Sequence, residues 1–462
     1  MQDFRIAGRQ DWSRREFLAV GTAVAASAIA SAQGRRPILV KGGCVLSLDP
    51  RVGDFDAADV LIDGEKIAAV GPSLSAANAD VIDASRAIVM PGLIDTHRHM
   101  WEGPLRNILP NGLLSDYTRD ITGAARAIYR PEDAHAGDLV SALGAINAGV
   151  TTVLDWSHIG NSPEHTDAAI AGLKESGIRS VYAFGGGAQG PRNQFPQDIR
   201  RLRRQYFSSS DQLLTLAMAT APDAASWAIA REVGAPITLH VNGAGALLPM
   251  ASAMKADCTY IHCNNLTEEE WRLIASTGGH VSIAGPIEME MGHGVPPFQQ
   301  AIAHGIRPSL SVDVETEMPG DLFTQMRTAF TLQRMQVLAR ERAGEKNLPK
   351  LLTVKEVVEF ATVDGAKANV LDSRVGTLTP GKQADLILLR HDRINTLPLN
   401  NAYGAVVVNM DTSNVDTVLI AGKVMKRNGQ LVGVDVARVQ RMAEASRDYI
   451  LSKTGWPTSR VR

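Results

Sequence analysis

Eleven histidines are spread through this 462-residue chain, and four of them stand where short apolar runs end. In "GLIDTHRHMWEG" His97 and His99 are two residues apart on an extended segment, so both imidazoles point to one face. Two neutral ring nitrogens on one face can hold a divalent ion at about 2.0–2.1 Å. Alone, an HxH pair is a weak signal, because paired histidines are common on solvated surfaces. His240 ends "PITLH", His262 ends "CTYIH", and Asp313 falls in "SLSVDV". If those runs are neighbouring strands of one barrel, all five side chains point toward one axis at one end, which isolated core histidines would rarely do.

The runs belong to a longer series: "IVMPGLIDTH", "TTVLDW", "RSVYAF", "LLTLAMA", "PITLHV", "CTYIHC", "HVSIAG" and "RPSLSVDV", each followed by a helix-like or loop segment. Eight strand-then-helix repeats predict an α/β fold, a closed parallel (β/α)8 TIM-like barrel over residues 89–371 with its chemistry at the carboxyl ends of the strands. Residues 33–88 and 372–432 instead read as short alternating strands with Gly-containing turns, the two parts of one small β-sandwich domain. Residues 433–462 read as a packing helix and tail.

A net charge of −2 with 45% hydrophobic and 21% charged residues describes a globular chain with no basic excess, so a nucleic-acid partner is not expected. Three cysteines match neither a zinc ribbon nor a redox CxxC. Residues 1–32 carry Arg14 and Arg15 ahead of Phe17, Leu18 and an Ala-rich stretch that ends in the small residues Ala30, Ser31 and Ala32. That layout resembles a twin-arginine signal peptide, and its apolar run is shorter than the ~20 residues a bilayer span needs. Export to the periplasm or medium is expected, with no stable membrane insertion after cleavage. The expected partner is a small-molecule substrate, and the expected assembly a homo-oligomer.

"MPGLIDTHRH", two further strand-end histidines and a late aspartate resemble the amidohydrolase superfamily, in the branch of cytosine deaminase, chlorotriazine hydrolases and adenosine-type deaminases. "GTLTPGKQADLILL" is similar to that family's return into its flanking β-domain, around Gly376, Gly381 and Asp385. The resemblance implies one divalent metal on His97, His99, His240 and Asp313, with His262 contacting the attacking water or the substrate. Three neutral histidines and one carboxylate leave a position open for water, and Asp313 is placed to take its proton. Zinc is the expected ion, although the same ligand set accepts iron, cobalt or manganese. No lysine ends the fourth run, "LLTLAMATAP", so a single metal is expected.

One position departs from the pattern. Deaminases of this branch carry a glutamate three residues after the fifth-strand histidine, where it protonates the ring nitrogen of the heterocycle. Here that position is Gly243. Either another acid stands in, with Glu288 and Glu290 of "GPIEMEMGHG" the nearest candidates, or the substrate needs no ring protonation, as in hydrolysis of an amide or urea-like C–N bond. Each of those glutamates also reads as a solvated loop charge. Further pocket candidates are Trp101, Glu102, Asp155, Trp156, His158 and His293, while His135, His165, His280, His304 and His391 receive no role. The leading expectation is a metal-dependent hydrolase of C–N bonds. The alternatives are a deaminase with a relocated acid, a non-catalytic binding barrel and a metal-dependent lyase.

Overall fold

The computed structural model of the protein describes residues 36–209 and 211–461, so the segment read as an export signal lies outside the described residues. The N-terminal part forms β1 (Ile38–Val45), β2 (Phe55–Asp63), β3 (Lys66–Gly71), β4 (Asp80–Asp83) and β5 (Ala87–Pro91). Eight parallel strands follow: β6 (Leu93–Arg98), β7 (Val150–Gly160), β8 (Arg179–Gly186), β9 (Leu214–Ala219), β10 (Ile237–Asn242), β11 (Cys258–Asn264), β12 (His280–Ile283) and β13 (Ser309–Leu310). The chain then returns through β14 (Leu386–Arg390), β15 (Val415–Ile420), β16 (Lys423–Arg427) and β17 (Gln430–Leu431) to complete a nine-stranded mixed sheet with the first five.

The eight parallel strands lie side by side in sequence order, each matching one apolar run of the sequence. Closure happens at the functional end. Past the last regular hydrogen bonds of β13, Asp313 N–H donates to His97 O at 2.9 Å and His99 N–H donates to Asp313 O at 2.9 Å. In β10 the alternation is plain: Ile237, Leu239 and Val241 bury in the layer between strands and helices, each contributing about 2 kcal/mol, and Thr238 and His240 take the opposite face. A separate cluster including Ile94, Leu154, Val181, Ala183, Ala217 and Ile261 packs the barrel interior beneath the site.

"IVMPGLIDTH" is not one strand. It breaks at Gly92 into β5, which pairs with β1 and β14 of the side sheet, and β6 of the barrel. A Cβ at Gly92 would stand 2.0 Å from Thr151 Oγ1, so only glycine lets the chain pass from one sheet into the other against β7. The expected boundary between residues 88 and 89 therefore falls inside β5.

Helix Glu268–Thr277 shows how local signals support the site. Thr267 caps it, Glu270 closes the capping box, and the left-handed Gly278 ends it. The Glu270 carboxylate also accepts from Gly245 N–H at 3.0 Å and Leu247 N–H at 2.9 Å, which pins the loop leaving β10 just beyond His240.

Candidate metal centre

Four strand ends converge. Ligand atoms of His97, His240, His262 and Asp313 all lie within 4.8 Å of one another, and His99 joins them with Nε2 at 3.3 Å from Asp313 Oδ1. His97 Nε2 stands 2.9 Å from Asp313 Oδ1 and 3.1 Å from His240 Nε2. Ligands at about 2.0–2.1 Å from a tetrahedral ion are separated by about 3.3 Å, so separations of 2.9, 3.1 and 3.3 Å fit a single small cation. The donor set is three or more imidazoles and one carboxylate, suited to a divalent ion of the zinc type.

Burial keeps His97 and His240 in their ligating form. His97, wholly enclosed, titrates at about 3, because desolvation of its charged form outweighs the attraction of Asp313. His240 is likewise held well below the ordinary histidine range, first by burial and then by His97 and His99. Asp313 moves the opposite way to a buried acid: burial would raise it, but His97, His99 and His262 together hold it well below the usual carboxylate range.

Two of the rings are aimed from behind. His99 Nδ1 donates to Trp156 O at 2.9 Å, which turns its Nε2 lone pair toward Asp313. His262 Nδ1 donates to Glu288 Oε1 at 3.1 Å, and its Nε2 lies 3.7 Å from Asp313 Oδ2. His262 and Asp313 each have φ of +70°, a conformation uncommon outside glycine that is maintained here where β11 ends and the barrel closes.

Glu288 is not the solvated loop charge that its local sequence suggests. It sits fully buried in the short helix Gly285–Glu290, and its carboxylate also accepts from Ala284 N–H at 2.9 Å and Asn264 Nδ2 at 3.4 Å. With both oxygens engaged behind His262, it is not free to protonate a substrate directly. Glu290 is half-buried and forms no hydrogen bond among the described residues; burial raises its carboxyl. At Gly243 φ is +97° and nothing lies within 4 Å of where a Cβ would be, so the glutamate position of the deaminases is open space on a backbone that disfavours any side chain.

The remaining expected residues divide. Trp156 packs against His240 with ring centroids 4.2 Å apart, and His158 stacks on His99 at 4.1 Å with only 4° between the planes. His293 is buried. It meets His262 edge-on at 4.7 Å, and both its ring nitrogens are sealed without a partner. Trp101 is no wall of the mouth: it is fully buried, edge-on to Tyr129. Asp155 is also interior, accepting from Met100 N–H at 3.3 Å beside Asp138; burial raises both carboxyls, Asp155 pushes Asp138 up further, and the hydrogen bond from Asp138 offsets part of the rise at Asp155, which is pushed up to about 6. Glu102 is enclosed too and accepts from Tyr117 Oη at 2.5 Å. Desolvation raises the Glu102 carboxyl well above its ordinary range. Among the histidines without a role, His165 bonds Tyr129 O, His135 pairs with Glu175 and His304 with Glu268.

Three contributors were missed in the sequence. Arg98, between the two HxH histidines, is fully buried and ties Asp95 to Glu315 and to Gly320 O, holding the loop after Asp313. Its place inside the HxH motif was the available signal. Tyr117 and Glu317, from the first and last barrel loops, carried no signal of spacing.

A family model described as "Amidohydrolase family" matches residues 88–425. A 5'-deoxyadenosine deaminase of Methanosarcina barkeri is 25% identical over 443 residues, covering 90% of this chain and 99% of that one. A 5-methylthioadenosine/S-adenosylhomocysteine deaminase of Pyrococcus horikoshii is 23% identical, covering 87% and 97%. Among solved structures, a variant of atrazine chlorohydrolase from Arthrobacter aurescens complexed with zinc and atraton matches with a TM-score of 0.79 at 22% identity, over 89% of this chain and all of that one. A zinc-bound adenosine deaminase from Xanthomonas campestris matches with a TM-score of 0.76 at 21% identity, over 90% and 98%.

Proposed function

Because the chain belongs to the amidohydrolase family, we propose that its metal centre serves a hydrolase that cleaves a C–N bond of a small molecule, with zinc as the ion. The observation that carries this reading is the convergence of His97, His99, His240 and Asp313 around one cation-sized point, with His262 beside it. Bound there, a divalent cation lowers the pKa of a water toward neutrality. His97, His99 and His240 enter as neutral ligands. Asp313, ionised and 3.7 Å from His262 Nε2, receives the water's proton at its carboxylate. Glu288 holds the Nδ1–H of His262, so the free Nε2 is the atom that takes the water's proton on from Asp313 and passes it to the departing nitrogen. His97, His99, His262 and Asp313 are between 0% and 4% exposed, which holds these groups away from bulk water.

The empty position at Gly243 supports a substrate whose ring needs no protonation, an amide or urea-like compound. A second reading, deamination of an amino-heterocycle, is supported by the deaminases among the relatives and by the His262–Glu288 pair, which can supply a proton that the residue at 243 does not. A screen of amides, ureas and amino-purines, amino-pyrimidines and amino-triazines against the metal-loaded protein separates the two. Ammonia from a ring supports the second, and amine or ammonia from amides or ureas alone supports the first. No release from any of them would overturn the C–N hydrolase reading. Export by the twin-arginine route is proposed from residues 1–32 alone, and N-terminal sequencing of the exported protein tests it.

A further inference from the structure

His158 stands at the carboxyl end of β7, 8% exposed, with its ring parallel to that of His99. Among the described residues only one of its nitrogens has a hydrogen-bond partner: Trp101 Nε1–H donates to His158 Nδ1 at 2.8 Å. An indole N–H can only donate, so Nδ1 must be the acceptor and the proton of the neutral ring must sit on Nε2. Trp101 cannot turn away to relax this. It is fully buried, its carbonyl accepts from Tyr129 Oη at 3.0 Å, and helix Pro131–Asn147 packs so close that a Cβ at Gly137 would stand 2.3 Å from Trp101 O. His158 Nε2 makes no hydrogen bond among the described residues, nor is it among the polar atoms sealed from the surface. Stacked on His99 and edge-on to Trp156, which itself packs against His240, the His158 ring lies beside the metal ligands.

We infer that His158 is a specificity-determining residue whose Nε2–H is a fixed donor to an uncharged acceptor on the substrate, a carbonyl oxygen or a pyridine-type ring nitrogen, and that Trp101 is the positioning residue that fixes this tautomer. A fixed donor that cannot become an acceptor discriminates against a substrate presenting N–H or a cation at that place, since two donors would face each other. The inference deepens the hydrolase reading and rests on it for the existence of a substrate, but the tautomer itself does not.

Two measurements test it. In zinc-loaded protein labelled with 15N-histidine, and with His158 assigned by its absence in His158→Gln, two-bond proton–nitrogen spectra should show a neutral ring protonated on Nε2. Trp101→Phe, which keeps the bulk and removes the donor, should lose that single-tautomer pattern. A ring protonated on Nδ1, a cationic ring, or an unchanged pattern in Trp101→Phe would overturn the inference. With any substrate from the screen of amides, ureas and amino-heterocycles, His158→Leu should raise KM about tenfold with kcat little changed, and His158→Gln, which retains an N–H, should recover most of the loss. For an amino-purine, replacing the acceptor ring nitrogen by C–H should weaken wild type but not His158→Leu. Equal losses in Leu and Gln with depleted metal would show that the ring matters only as a support for His99. Absence of turnover on every compound would overturn the hydrolase reading and leave the spectra to decide this one.

Discussion

Asp313 holds His97 twice: its N–H donates to the His97 carbonyl at 2.9 Å, and its Oδ1 stands 2.9 Å from His97 Nε2. The hydrogen bonds that close the barrel between its first and last strands are therefore the ones that set the spacing of two ligands. Disturbing either residue acts on metal, closure and chemistry together, and the variants separate these effects.

His97→Ala and His99→Ala should each release the metal and abolish hydrolysis, because each removes a ligand of a single ion. Metal analysis after gel filtration checks this. Stoichiometric metal in both variants would place the site elsewhere.

Asp313→Asn should differ in kind. Asparagine tolerates a positive φ, so the +70° backbone and the closing hydrogen bonds are kept, and its amide oxygen can still ligate. It takes no proton, however, so turnover should fall by about 10²–10⁴ while much of the metal stays. Unchanged turnover would remove Asp313 as the base.

Glu288→Gln should lower kcat by about a hundredfold with metal retained, since the charge that holds the His262 Nδ1–H is lost. Glu290→Gln should be nearly silent, as that side chain bonds nothing among the described residues. A severe Glu290 variant beside a mild Glu288 variant would reverse the assignment.

Glu317 titrates at about 8 in the folded chain, raised chiefly by burial and further by Asp313 and Glu290. Its folded value lies above its ordinary value of 4.5, so the protonated side chain favours folding at low pH, and this stabilisation is lost as pH rises from about 4.5 through about 8. Glu317→Gln should melt at the same temperature as wild type near pH 4 and at a higher one at pH 9. Parallel melting curves across that range would show that Glu317 does not titrate as described.

The architecture was legible because its signals are local. Eight apolar runs gave eight strands, and a histidine or aspartate ending a run marks a barrel mouth wherever the loops go. What stayed hidden depends on partners distant in sequence. Glu288 reads as an exposed charge in "EME" until the short helix after β12 folds it under His262. Trp101 follows the HxH pair by two residues and Asp155 ends the second apolar run, positions that place both at the barrel mouth, yet both are enclosed, because the segments after β6 and within β7 also build the core against helix Pro131–Asn147. The break at Gly92 was hidden because a continuous apolar run shows no change of period where a strand passes between sheets.

Gly243→Ala and Gly243→Glu should each cost about 1–2 kcal/mol of stability from the +97° φ alone, in a site with room for either side chain. If ring protonation is not part of the reaction, the glutamate variant should be no better than the alanine variant on any amino-heterocycle. Deamination raised in Gly243→Glu alone would show that the missing acid limits this enzyme.

Hydrolysis of a C–N bond at one metal centre is decided by measuring ammonia and amine release across the compound screen. The comparison is between metal-loaded protein, the same protein stripped with a chelator, and the stripped protein given back one equivalent of zinc. The loaded protein should release product, stripping should abolish release, and recovery should saturate at one zinc per chain. Release that survives stripping, or that also persists in His97→Ala, would contradict hydrolysis at that centre.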